Sequence, residues 1–231
     1  SNMKLDCVLS ASTYDEEYAP CIPYFIKFWK HLYPNIDVKV VFINDSIPQE
    51  YNQYVDHLIL FNPQDDIPKP LVAQLIRLFY PALLNYKNAI IISDIDMLPL
   101  NNTYYTDSIK NIEDHMFVSY RKVDSLLKKN ETSMCYNAAL NNTWSNLFKI
   151  NSINDIHLKL ENIWLSSPHY KKGGQGWGTD QNLLYTTASK SNDFIHLDDH
   201  NTSFKRGKDD HHCRHPINKD EINNIFLNLK T

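Results

Sequence analysis

Residues 88–100 read Asn88-Ala89-Ile90-Ile91-Ile92-Ser93-Asp94-Ile95-Asp96-Met97-Leu98-Pro99-Leu100. Residues 89–92 are apolar without alternation, and Ser93 closes the run. That is the pattern of a strand buried on both faces, as a parallel sheet covered by helices requires. Pro99 bars easy continuation of the strand after Met97-Leu98. Where the strand runs out stand two carboxylates, Asp94 and Asp96, with one hydrophobic residue between them. If the chain bends there, both can face one side. Ligand sites of open parallel sheets lie at the carboxyl ends of their strands. Hard cations such as Mg²⁺ or Mn²⁺ take oxygen ligands and often share them with substrate phosphates. A diphosphate bridged to the protein by such an ion becomes a better leaving group, because the metal neutralises the developing charge.

Working outward, residues 71–84 place apolar side chains at 71, 75, 78 and 82 and at 72, 76, 79 and 83. So wide a stripe predicts a largely buried helix, with Pro70 suited to its first turn. Residues 5–10 and 38–43 read as further buried strands, 57–61 as a third, and 21–32 as a helix; residues 11–20 are polar and turn-like. The first half is therefore β-α-β-β-α-β, which predicts an α/β fold with a mainly parallel sheet. The second half is less regular. It offers strands at 117–120, 134–140 and 193–197, and helices at 144–150, 156–165, 180–188 and 221–229.

The chain has 231 residues, 42 % of them hydrophobic and 12 % aromatic, with a net charge of −4. That suits one domain with a real core, expected over residues 3–231, and excludes a basic nucleic-acid binder. Ser1 and Asn2 precede Met3 and read as an expression-tag remnant. No apolar run reaches the roughly 18–20 residues of a membrane span, and the start lacks a signal-peptide pattern. The four cysteines form no C-x-x-C pair, hence no zinc or redox signature. So sparse a set fits a reducing compartment and a cytoplasmic location.

The segment from Gln74-Leu75-Ile76-Arg77-Leu78 through residues 88–100 resembles the central block of GT-A-fold glycosyltransferases. It is most similar to the retaining family 8 enzymes, which include glycogenin and bacterial lipo-oligosaccharide galactosyltransferases. There an arginine-bearing helix leads into an apolar strand and a D-x-D motif. The resemblance implies a GT-A, Rossmann-like sheet and transfer of a sugar from a nucleotide-sugar, with a UDP-sugar the expected donor. It implies Mn²⁺ or Mg²⁺ at Asp94 and Asp96, and Arg77 reaching toward the donor sugar or the acids. The acceptor is expected to be a carbohydrate, less readily a protein side chain.

Two further blocks follow in the family's order. Met134-Cys135-Tyr136-Asn137-Ala138-Ala139-Leu140, with Trp144 beyond, resembles its F-N-S/A-G segment. This implies that Asn137 and Ala138 contact the donor sugar. A small residue lets backbone approach a ring, and an amide can bond two hydroxyls. Gly173-Gly174-Gln175-Gly176-Trp177-Gly178-Thr179-Asp180-Gln181 holds four of the five glycines in the chain. Glycine is required where φ is positive or a ligand lies on the backbone. Thr179-Asp180 can cap the helix that follows, and Trp177 can stack on a sugar. Asp180-Gln181 resembles the family's D-Q-D segment, which implies an acid on sugar hydroxyls and a glutamine near the reacting carbon. It also resembles the W-G-x-D of inverting enzymes, where the acid is the general base. Both roles stay open for Asp180, with retention the expected outcome.

Late in the chain, His196, His200, His211, His212 and His215 mix with acids and bases. The family takes a third metal ligand from a C-terminal H-x-x-G-x-x-K-P-W stretch, which this chain lacks. His212 is the first choice for that ligand and His211 the second, in a segment that can act as a lid. Arg206, with Lys205 and Lys208, can stabilise a departing diphosphate. Ser12, Thr13 and Tyr18 after the first strand resemble the nucleotide-binding loop, and Asp45 ends the second strand. Rival readings are a haloacid-dehalogenase-type phosphatase using Asp94 and Asp96, and a non-catalytic nucleotide- or sugar-binding module. A nucleotidyltransferase would need glycines after the first strand, and none is there.

Overall fold

The computed structural model describes residues 1–64, 66–122 and 127–229. The centre is β4, Ala89–Ile92, every residue of it buried. Ala89 and Ile91 point into one core and Ile90 and Ile92 into the other. Each isoleucine so buried contributes roughly 1.5–3 kcal/mol relative to exposure, so neither face of this strand can turn to water. Its parallel neighbour β1, Leu5–Thr13, divides in the same way: Val8 belongs to the first core, and Leu9 and Ala11 to the second. Beyond it run β2, Asp37–Ile43, and β3, Leu58–Phe61, both parallel.

On the other side of β4 lies β7, Asn137–Ala139, antiparallel to it; then come β6, Phe117–Ser119, and β8, Phe194–His196. The seven strands are ordered β3-β2-β1-β4-β7-β6-β8. The expected mainly parallel sheet is present, with β7 the strand that reverses direction.

Helix α1, Ile22–Leu32, closes the first core with Ile22, Phe25, Ile26, Phe28, Trp29 and Leu32. Helix α2, Lys69–Phe79, closes the second with Leu71, Val72, Leu75, Ile76, Leu78 and Phe79. Pro70 stands in the first turn of α2 as expected, and the helix tightens into a 3-10 turn, Tyr80–Leu83. The short α3 is Tyr104–Asp107. Helices α4, Asn141–Phe148, α5, Ile153–Ser166, and α6, Thr179–Leu184, pack on the α2 side. The short α7, Asp199–Thr202, and then α8, Lys219–Leu227, come last, with Phe226 of α8 against Phe28 of α1.

Two short strands lie outside the main sheet. β5, Met97–Pro99, pairs antiparallel with β9, Asp210–His212, setting Met97 opposite His212. The late segment of mixed histidines, acids and bases thus returns to the end of the D-x-D segment. The first strand also runs to Thr13, beyond the turn expected after Ser10, with Ser12 and Thr13 buried. Among the described residues, no helix is long and apolar enough to cross a membrane.

Candidate active site

Past β4 the side chains separate. Ile95 is buried, while Asp94 and Asp96 on either side of it are partly exposed. The intervening isoleucine anchors the turn in the core, so both carboxylates project toward the cleft at the sheet's carboxyl edge. This cleft has a volume of about 240 Å³. Its wall includes Ser12 and Thr13 from the end of β1, Tyr18 from the β1–α1 connection, Arg77 from α2, and Asp94, Asp96, Asp180 and Gln181.

Arg77 organises the wall. Its guanidinium is buried and donates to Asp94 from one nitrogen and to Asp180 Oδ2 from the other, the latter at 3.1 Å. A buried cation is tolerated only with such partners. Burial pushes the Asp180 carboxyl up from 3.8 to about 6, against the opposing pull of Arg77 and of the Gln181 backbone N–H. Cys135 faces Asp94 Oδ2 at 3.6 Å, and burial, assisted by Asp94, pushes its thiol up to about 12, so it remains neutral.

Asp96 has a different partner. The ring Nε2 of His212 lies 2.9 Å from Asp96 Oδ2, brought there by the β5–β9 pairing. The preceding strand residue, His211, faces away, with its nearest acid Glu221 at 3.9 Å. Of the two late histidines, His212 is therefore the one beside the acids. Among the described residues, no group of three or more His, Cys, Asp or Glu side chains encloses a common point. Asp94 is turned to Arg77, and Asp96 and His212 to each other.

The glycine-rich segment forms the outer wall. Gln74 of α2 holds it at two points, donating to the carbonyl of Trp177 at 3.1 Å and accepting from the hydroxyl of Tyr170 at 2.7 Å. Tyr170 and Trp177 lie with ring centroids 6.0 Å apart, both on the cleft wall. Gly176 has φ +82°, and a Cβ there would meet the His169 carbonyl at 2.4 Å. The turn needs glycine on both counts. Lys172 reaches across to Glu17 and over the Tyr18 ring, tying the strap to the β1–α1 connection.

Several expected positions lie elsewhere. Asn137 is fully buried in β7; its amide donates to the Ser133 carbonyl, and its Oδ1 has no partner among the described residues. Ala138 faces the core on the α1 side. Neither is on the cleft wall, which this part of the chain builds from Ser133, Met134 and Cys135 instead. The cause is Tyr136, whose φ of +58° turns the chain between the wall residues and the strand. Asp45 is exposed and off the cleft. Arg206 is bound to buried Asp210, beside a separate depression shared with His211, His212 and Arg214. Thr179 donates to the Gly176 carbonyl, and Gly178 is the cap residue of α6, with no side chain capping it. Gln74, Met134 and Cys135 stand inside the segments that resemble the family but carry no expected role there, and Ser133 and Tyr170 lie outside them; the roles of all five arise from packing across the cleft.

No family model matches the chain, and no curated protein matches it. Solved structures do. The chain is similar to the glycosyltransferase GlyE of Streptococcus pneumoniae TIGR4, with 14% identity and a TM-score of 0.54 over 85% of this chain and 46% of that one. It spans about half the length of that protein. It is also similar to the galactosyltransferase LgtC in complex with donor and acceptor sugar analogs, with 10% identity and a TM-score of 0.56 over 97% of this chain and 96% of that one. An active-site mutant of LgtC aligns with a TM-score of 0.53 and 11% identity, covering 84% and 73% of the two chains. At these identities the likeness establishes the fold, which is GT-A.

Proposed function

We propose that this protein is a metal-dependent glycosyltransferase that moves a sugar from a UDP-sugar to a carbohydrate acceptor, with retention at the anomeric carbon. The observation that carries the reading is the buried Arg77 held between Asp94 and Asp180 in a cleft at the sheet's carboxyl edge, whose wall also includes Asp96, the partner of His212. The rival readings draw no comparable support. An Asp94 already committed to a guanidinium is a poor phosphatase nucleophile.

Two carboxylates and an imidazole are a donor set suited to Mn²⁺, with Mg²⁺ the alternative. Asp94, Asp96 and His212 would hold the ion, which when bound supplies charge neutralisation for the departing diphosphate. Arg77 fixes the orientation of Asp94. Ser12, Thr13 and Tyr18 present backbone and ring to the nucleotide from the end of β1 and the connection after it. Asp180, ionised above pH about 6, accepts hydrogen bonds from sugar hydroxyls, and Gln181 beside it faces the reacting carbon. In the transfer, the bond from the anomeric carbon to the phosphate oxygen breaks. The bond to the acceptor oxygen forms, and the proton of the acceptor hydroxyl passes to the departing diphosphate, which has taken the electron pair of the broken bond. Retention rests on the Asp180-Gln181 match alone, since Asn137 lies off the cleft.

The test is calorimetric titration with UDP, with and without Mn²⁺. Manganese-dependent binding that Asp96→Asn abolishes supports the reading. Absence of binding to any nucleoside diphosphate overturns it.

A further inference from the structure

Away from the cleft wall, two thiols meet from opposite ends of the chain. Cys21 closes the 3-10 turn ahead of α1, and Cys213 directly follows β9. They are 192 positions apart in sequence, and their Sγ atoms are 2.9 Å apart. Both side chains are buried. A disulfide bond is about 2.05 Å long, so bonding needs roughly an ångström of approach.

The backbone on both sides is already fixed. The Cys213 N–H donates to the Asp96 carbonyl at 2.7 Å, and the Cys21 N–H to the Tyr18 carbonyl at 2.9 Å. The other two thiols have different surroundings: Cys7 donates to the Val8 carbonyl, and Cys135 faces Asp94. Ordinary packing of two small apolar residues does not require their sulfurs to point at one another. Among the described residues, the Cys21 thiol has the sulfur and carbonyl of Cys213 as its acceptors.

We propose that Cys21 and Cys213 are an oxidative modification site, a dithiol that closes to a disulfide and staples the end of the strand carrying His212 to the turn ahead of α1. Burial selects a small oxidant, and a hydroperoxide is the class that fits. One sulfur attacks the peroxide O–O bond, becoming a sulfenic acid and releasing water or an alcohol. The second sulfur then displaces water from the first as the S–S bond forms. With hydrogen peroxide, two thiols and one peroxide give one disulfide and two waters. The two electrons lost by sulfur reduce the peroxide. The link closes a loop spanning most of the chain, where the chain-entropy account expects large stabilisation. It also pins the residue next to His212. The inference is independent of the transferase reading.

The test treats the full chain with hydrogen peroxide, then denatures and alkylates it before intact-mass and non-reducing peptide analysis. The expected product is lighter by two hydrogens and has two of its four cysteines protected. The Cys21 and Cys213 peptides are joined, dithiothreitol reverses the change, and the urea midpoint is higher than in the reduced protein. Cys21→Ser and Cys213→Ser each abolish the linked peptide, and Cys135→Ser keeps it. The peptide map of the unmutated chain decides the matter if either serine variant does not fold. The proposal is overturned if Cys21 and Cys213 are both alkylated after treatment, or if the linked peptide contains a different pair.

Discussion

Asp96 and His212 are 116 positions apart in the chain and 2.9 Å apart in space. Their meeting depends on the three-residue pairing of β5 with β9, which sets Met97 opposite His212 and Leu98 opposite His211. Neighbouring residues of a strand point to opposite faces, so only one of the adjacent histidines can reach the acid. His212→Ala is therefore expected to weaken manganese-dependent UDP binding by more than the roughly 10–100-fold typical of losing a supporting residue around a metal. His211→Ala is expected to leave it within about twofold, since the nearest acid to His211 is Glu221. Calorimetry on the two variants checks the pair.

Arg77 carries a structural burden apart from any chemistry. Its removal leaves Asp180, itself buried, without its cation. Breaking one side of a buried ion pair costs about 3–5 kcal/mol, so Arg77→Met should lower the unfolding free energy by about that much in a urea titration. Arg77→Lys keeps the charge but cannot fork between two acids. Its stability should fall between the two, with nucleotide binding still impaired.

Asp180 sets a pH limit. Its carboxyl is raised from 3.8 to about 6, chiefly by burial. A raised carboxylate favours the folded state fully below the unfolded value, and that contribution is lost as pH rises toward the folded value. Two pH units correspond to about 3 kcal/mol. The stability of the native protein relative to Asp180→Asn should therefore fall by about that amount between pH about 4 and pH about 7. Catalysis should run the other way, because the ionised form is the one that accepts hydrogen bonds from the sugar. An acid limb near pH 6 in kcat/KM, absent in the residual activity of Asp180→Asn, is the expected profile.

The two glycines flanking Trp177 should respond unequally. Gly176→Ala would place a methyl 2.4 Å from the His169 carbonyl at φ +82°. A loss of roughly 1–3 kcal/mol, with a disturbed strap, is expected. At Gly178 the close neighbour is the end of the Glu131 side chain, which can swing aside. Gly178→Ala should cost under about 1 kcal/mol. Thermal unfolding of the two variants separates the cases.

Much of this architecture was legible in residues 5–100, because buried strands and amphipathic helices write their periods into the sequence. β4 and α2 are the clearest examples, and the acids at the end of β4 were legible by position. What escaped had no period to show. β9 is Asp210-His211-His212, a strand only because β5 is there to receive it. The shift of the cleft wall from Asn137 to Ser133–Cys135 turns on one positive φ at Tyr136, a residue type that gives no hint of it. Thr179 looked like a cap, but its hydroxyl closes the preceding turn instead. The meeting of Cys21 with Cys213 is a product of tertiary folding alone.

The separateness of the β5–β9 pair has a further consequence for the order in which the protein can be made. A ribosome emits the chain from the amino end. By the time residue 196 has emerged, all seven strands of the main sheet and the Arg77 network are available to assemble. Asp96 is by then in place but lacks the imidazole that meets it in the finished fold, because residues 210–212 have yet to appear. A nascent chain can thus own a nearly complete scaffold while the trio proposed to hold a cation is still one member short, so folding and completion of that site are separate events on the same polypeptide.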